Sequence, residues 1–388
     1  MTRALLWQWQ RRGGGPKYTL ELARALAVRG RVDLALSVSR QAEIIEDYRA
    51  LGLPLQEIDT YRGGREFIAA TLRLPAVRAA FRDYLKRRRI EVVVATMSHL
   101  WNPIMVDLIG RAGARLVTVV HDAASHPGDD HPLRQRMIAR ELRTSDRVVT
   151  LSDHVAAGVR ANFAYPAAHM AVIPHGIFRF DAEPIPVHRA PADRPFRFLF
   201  FGRLLPYKGL DLLMDAVERI DPAVNFELAI VGSGDLGPLG ARIAAHPRVR
   251  LDQRWIPEEA VAGIFAAADA TVAPYREASQ SGVLAASYGA GLPMIATPVG
   301  GLAEQIVPFG AGLVADDMTS EAFAAAMARL ATDRDLYDRL AANTVATAEG
   351  PLSWDCIAAQ FEDVIQRIRP RHPPRRDHAG EDEGRADA

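Results

Sequence analysis

Short strand-like runs, most of them largely apolar, recur along the chain at residues 4–7, 32–38, 55–58, 92–95, 116–120, 148–151 and 171–173, with helically spaced apolar positions in the intervals. A second series follows at 196–201, 226–231, 249–251, 271–273, 294–296 and 312–314. Runs without polar alternation predict strands buried on both faces, and their alternation with helices predicts parallel sheets covered by helices on either side. Between the two series Pro174, Pro184, Pro186, Pro191 and Pro195 stand among charged residues with little periodicity, which predicts a linker. Helices are expected near 319–348 and 353–369. The later one carries an apolar stripe of Trp354, Ile357, Phe361, Ile365 and Ile368. The expected organisation is therefore an α/β chain with a first domain at 1–175, a linker at 176–195, a second domain at 196–352 and a closing helix at 353–370. The tail at 371–388, rich in proline, arginine and acid and nearly devoid of apolar residues, is expected to be disordered.

Composition narrows the function without choosing it. A chain of 388 residues suits two domains, and 47 basic residues balance 47 acidic ones, which argues against a general nucleic-acid binder. Cys356 is the single cysteine, so no internal disulfide forms and a reducing cytoplasm fits; it is expected as a small buried residue on the closing helix. The first apolar run gives way to Gln8, Gln10 and Arg11, too soon for a signal peptide. No run of 18 apolar residues occurs, so any membrane association is expected to be peripheral. Residues 62–89 carry Arg62, Arg65, Arg73, Arg78, Arg82, Lys86, Arg87, Arg88 and Arg89 against Glu66 and Asp83, with Leu74, Val77, Phe81 and Leu85 at helical spacing. Two readings fit: a helix lying on the inner face of an anionic membrane, or a helix packed on its own sheet with a solvated basic face.

The chemistry concentrates at turns that follow strands. At 274–301 a strand ending at Pro274 leads through Glu277, Ser279, Gln280, Ser281 and Gly282 into a small-residue helix, and a second strand leads to Gly300 and Gly301. Free backbone N–H groups at such a helix start suit a phosphate, and Gly282 permits close approach. Earlier, Gly202, Arg203, Lys208 and Gly209 join a strand to a helix, where two cations can neutralise a diphosphate. Residues 232–237 satisfy G-x-G-x-x-G after a strand, with Asp252 twenty residues past Gly232. That is the dinucleotide fingerprint, and it keeps a nicotinamide-dependent oxidoreductase open; a turn lining a nucleotide pocket through Gly232 and Gly234 explains it as well. Trp255 and Ile256 are either base-side residues or core. Gly13, Gly14 and Gly15 are either a flexible loop before a helix started by Pro16 or backbone close to substrate. His121, Asp122, His126, Asp129, Asp130 and His131 cluster after a strand, but Pro127, Gly128 and Pro132 make a turn-rich loop without common zinc spacing. The only D-x-D of the main chain, Asp333 and Asp335, is expected within a C-terminal helix, so no catalytic metal is expected.

The conjunction of Arg203 and Lys208, the turn from Glu277 to Val283, and His121 resembles the donor site of GT-B glycosyltransferases of the retaining family 4, over nearly the whole chain up to about residue 370. The resemblance implies two Rossmann-like doubly wound domains facing a central cleft, with the last helix crossing back onto the first domain. It implies a UDP- or GDP-linked sugar as donor, no separate cofactor, and a saccharide or lipid-linked acceptor. Gly202, Arg203, Lys208, Gly232, Gly234, Trp255, Ser281, Gly282 and Val283 would hold the donor. Glu277 would orient its sugar, His121 would bind from the first domain, and Gly13, Gly14, Gly15 and His126 would lie on the acceptor side. The leaving phosphate would take the acceptor proton in a same-face attack. The family's second glutamate, eight positions after Glu277, is here Ala285, so its ribose contact is absent or supplied by other groups. A degenerate, non-catalytic sugar-nucleotide-binding protein is the remaining alternative.

Overall fold

A computed structural model describes residues 1–123, 134–180 and 183–368. Both series of apolar runs form strands. The first sheet contains β1 (Thr2–Gln8), β2 (Val32–Ser39), β3 (Leu55–Ile58), β4 (Val92–Ala95), β5 (Arg115–Val120), β6 (Arg147–Thr150) and β7 (Met170–Val172), in the order β3-β2-β1-β4-β5-β6-β7. The second contains β8 (Phe196–Phe201), β9 (Phe226–Gly232), β10 (Val249–Gln253), β11 (Ala270–Ala273), β12 (Met294–Ala296) and β13 (Gly312–Val314), in the order β10-β9-β8-β11-β12-β13. Every pairing is parallel, with Leu6 opposite Val94 in the first sheet and Phe198 opposite Ala270 in the second. Strand order reverses between β1 and β4 and again between β8 and β11, and a doubly wound sheet binds ligands beyond the carboxyl ends of its strands at such a reversal.

The passage between the sheets is packed rather than loose. His175, Gly176, Ile177 and Phe178 are buried, Ile177 N donates to Leu352 O at 3.2 Å, and Phe178 N donates to Ala285 O at 2.9 Å. The indole of Trp354 lies against Gly176 and donates to Ile177 O at 2.6 Å, leaving no room there for a side chain. From Trp354 the last helix, Trp354–Arg367, returns to the first domain. Its Ile357, Phe361 and Ile365 are fully buried in one cluster with Leu6, Leu22 and Leu26, and Arg29 Nε donates to Glu362 Oε2 at 2.9 Å beside them.

Three local expectations change. Helix Gly14–Arg29 begins two residues before Pro16. Asp333 is not inside a helix but between two, accepting from Leu336 N as the cap of Arg334–Glu349. Cys356 is exposed: the stripe of the last helix is set by Ile357 and Phe361, which turns the neighbouring position outward. The basic segment folds as helices Gly64–Leu72 and Leu74–Arg87; Leu74, Phe81, Tyr84 and Leu85 are buried against the first domain, and Arg78 pairs with Asp107 at 3.3 Å. Ile68 and Leu72, one turn apart, stay 68% and 80% exposed. Among the described residues no helix is long and apolar enough to cross a membrane. The tail expected to be disordered lies outside the described residues.

Removing the Phe361 ring should cost about 3–5 kcal/mol in denaturant unfolding of Phe361→Ala, as for other buried aromatics, whereas Cys356→Ala should stay within about 0.5 kcal/mol of the parent.

Candidate active site

Three turns of the second sheet meet at its carboxyl edge. After β8 the chain passes Gly202 and the exposed Arg203, makes a short 3-10 turn at Pro206–Lys208 and enters helix Leu210–Arg219 through Gly209. Gly209 has φ 68, and a Cβ there would overlap the Pro274 carbonyl, so only glycine lets this turn lie on the one that follows β11. The contact is sealed by Arg276 N, which donates to Tyr207 O at 2.8 Å. Lys208 Nζ consequently sits 3.6 Å from the centroid of the buried Tyr275 ring. Burial pushes its pKa down to about 8, and Arg203 adds to that while Asp122, from the first domain, opposes it. Arg203 Nη2 donates to Tyr207 Oη at 3.2 Å.

The turn after β11 carries Glu277 on its exposed side and then narrows to Ser281. The Gln305 side chain holds that residue by both backbone groups, accepting from Ser281 N at 2.7 Å and donating to Ser281 O at 3.3 Å. Helix Gly282–Gly289 starts next with no side-chain cap, so the backbone N–H groups of Gly282 and Val283 receive no acceptor from the Ser281 side chain. Ala285 is buried, and its carbonyl already accepts from Phe178 N; the site has no carboxylate at that position.

The third turn disposes of the dinucleotide fingerprint. Gly232 has φ 154, and a Cβ on it would overlap Gly202 O; one on Gly234 would overlap Leu204 O. Gly202 N donates to Val231 O at 3.0 Å and Leu204 N to Ser233 O at 2.8 Å. The close approach of the Arg203 turn therefore accounts for these two glycines without a dinucleotide, and Asp252 is paired with Arg254 at 2.9 Å.

Across the crevice, His121 follows β5. Its Nε2 lies 2.9 Å from Thr96 O, which assigns the proton to Nε2 and leaves Nδ1 as the acceptor. Burial lowers its pKa, so the ring is neutral near pH 7. Tyr18 packs edge-on to His121 at 5.2 Å and to His175 at 5.1 Å, and burial drops His175 to about 3. Tyr18 and His175 escaped the sequence reading because nothing in their spacing separates them from core residues. Gly13 precedes the first turn of helix Gly14–Arg29, a Cβ on Gly15 would crowd Gln10 and Met97, and Phe178 lies between the two halves: its ring is 3.7 Å from where a Cβ on Gly14 would stand and 3.5 Å from one on Gly282. Trp255 is half exposed with the Arg12 guanidinium 5.5 Å from its ring, and Lys17 pairs with Glu258 at 2.7 Å. The structure thus gathers the turn of Arg203 and Lys208, the Ser281 to Val283 turn and, across Phe178, the Gly13 to Gly15 turn, with His121 linked to Phe178 through His175; Glu277 is exposed on the turn after β11. His126, Asp129, Asp130 and His131 lie outside the described residues.

Comparison with known proteins bears on the family and the fold. The family model described as Glycosyltransferase Family 4 matches residues 12–178, and that described as Glycosyl transferases group 1 matches residues 195–333. A D-inositol 3-phosphate glycosyltransferase from Xylanimonas cellulosilytica is 27% identical over an alignment covering 94% of each chain. One from Thermomonospora curvata is 26% identical over 91% of this chain and 90% of the relative. Among solved structures, Anabaena HepE in complex with UDP superposes with a TM-score of 0.71 at 17% identity, covering 95% of this chain and all 100% of the other. Sucrose-phosphate synthase from Thermosynechococcus elongatus gives 0.69 at 20% identity, covering 94% and 98%. The structural likeness carries the GT-B fold, and the two family models fall one on each sheet. The chain belongs to the family 4 glycosyltransferases of GT-B fold, enzymes that transfer a sugar from a nucleotide sugar to an acceptor.

Proposed function

We propose that this enzyme takes a UDP- or GDP-linked sugar as donor and transfers it with retention of anomeric configuration to a saccharide or lipid-linked acceptor held by the first domain. The observation that carries the reading is the uncapped start of helix Gly282–Gly289 beside Lys208 and Arg203: an anion site built from backbone N–H groups and two cations at a strand-order reversal. Breaking the bond between sugar and diphosphate leaves charge on the phosphate, which Lys208, Arg203 and the N–H groups of Gly282 and Val283 offset, whereas the Ser281 N–H expected to join them is taken by Gln305. Glu277 orients the donor sugar, and neutral His121 contacts it from the opposite domain through Nδ1. Gly202, Gly232, Gly234 and Trp255 border the nucleotide; Gly13, Gly14 and Gly15 border the acceptor. The leaving phosphate oxygen accepts the proton of the attacking hydroxyl on the same face, so neither a carboxylate nucleophile nor a metal ion is required. Proton NMR of the first product formed tests this, since an inverted anomeric centre overturns the same-face route.

We further propose that the enzyme works in the cytoplasm and meets an anionic membrane through the 62–89 segment. Exposed Ile68 and Leu72 in a segment whose sequence carries nine basic residues favour this reading.

Four outcomes are expected. Lys208→Ala should lower kcat/KM by at least about 100-fold, the scale for removing one charge-stabilising donor, with an unchanged melting temperature; full activity removes Lys208 from the phosphate site. Because the free lysine titrates near 8, donor affinity should fall as pH rises through about 8. In Lys208→Arg that dependence should vanish, since guanidinium keeps its charge. Replacing Ile68 and Leu72 together by Asp should abolish flotation with phosphatidylglycerol vesicles; unchanged flotation removes this face from the membrane contact.

A further inference from the structure

Helix Asp153–Phe163 of the first domain begins at the crevice, and its orphan N–H groups are satisfied in an unusual way. Ser152 Oγ accepts from Val155 N at 3.2 Å as an ordinary cap, and the same hydroxyl donates across the crevice to Ser279 O at 3.1 Å. The next two N–H groups are taken by the other domain: Asp153 N donates to Glu304 Oε2 at 2.6 Å and His154 N to Glu304 Oε1 at 2.9 Å. A carboxylate at a helix N-terminus is favoured by both hydrogen bonding and the helix dipole. The residue after Glu304 is Gln305, whose amide grips both backbone groups of Ser281. Both stand on the short helix Leu302–Ile306, which is fixed to the same turn because a Cβ on Gly300 would overlap Ala278 O and one on Gly301 would overlap Ser279 O.

We infer that Glu304 is a positioning residue for transfer: it latches the second domain onto helix Asp153–Phe163, and because its helix is fixed to the Ser281 turn, the latch sets where that turn stands relative to the first domain. The inference rests on the reading of that turn as the diphosphate site. The Glu304 contacts lie at the exposed rim, where both partners can return to water, so the latch can open in each cycle. Gln305 remains in place when the latch opens, so the open enzyme still binds nucleotide. Closure completes the site for sugar transfer and excludes water from the donor.

The site reading is tested first and separately, by nucleotide binding to the unaltered enzyme and its loss in Lys208→Ala. Glu304→Ala is then compared with the parent. Nucleotide Kd should change less than about threefold, while kcat for transfer falls more than about tenfold, the scale of losing a closure contact rather than a binding contact. The ratio of donor hydrolysis to transfer should rise, and small-angle scattering of the nucleotide complex should show a larger radius of gyration. Glu304→Gln, which keeps one acceptor oxygen, should fall between the two. Transfer retained within threefold in Glu304→Ala overturns the inference. So does a parallel fall of kcat, nucleotide affinity and melting temperature, which marks a purely structural role.

Discussion

Backbone lies directly on backbone where the turns of the second sheet meet, and the geometry of the crevice depends on that contact. Gly209 rests on the Pro274 carbonyl, Gly232 on Gly202 and Gly300 on Ala278, in each case closer than any Cβ permits. Four strand-to-helix turns, those after β8, β9, β11 and β12, thereby become one rigid body, and Lys208 is pinned over Tyr275. A cation held this way costs little reorganisation when a diphosphate arrives, and preorganised charge of this kind is worth more than the same lysine on a free surface. Its depressed pKa is the cost of that burial, which a bound anion reverses.

The same economy joins the two domains. Phe178 fills the space between the Gly14 and Gly282 turns, while the last helix brings Ile357, Phe361 and Ile365 back into the core of the first domain. Between these fixed points the exposed contacts at the crevice rim are polar, Lys17 with Glu258 and Glu304 with the start of helix Asp153–Phe163, while the bond from Ser152 to Ser279 is buried. Apolar contacts hold the halves together, and hydrogen bonds that water can replace set how tightly they close.

The central strands were legible because parallel-sheet strands are buried on both faces and announce themselves as apolar runs, as at β4 and β11; the edge strands β3, Leu-Gln-Glu-Ile, and β10, Val-Arg-Leu-Asp-Gln, carry polar residues and are only partly buried, so their place in the alternation with helices identified them. The turns at Lys208 and at Ser281 were legible because glycine beside cations or small polar residues after a strand has few other physical reasons. Contacts between residues far apart in sequence were not. Glu304 and Gln305 look like ordinary helix polar residues until the fold brings Asp153 and Ser281 to them, across 151 and 24 positions. The G-x-G-x-x-G at 232–237 misleads for the same reason: its glycines answer to a neighbouring turn that the local sequence does not contain. Cys356 shows a finer limit, since a shift of one position on an amphipathic helix exchanges core for solvent.

Isothermal titration calorimetry of UDP, GDP and NAD tests the central claim, that this crevice is a nucleotide-diphosphate site organised around Lys208, most directly. The account predicts that UDP or GDP binds at one site per chain with a heat that disappears in Lys208→Ala, and that NAD gives none. Binding of NAD that Lys208→Ala leaves intact, with UDP and GDP both silent, would contradict it.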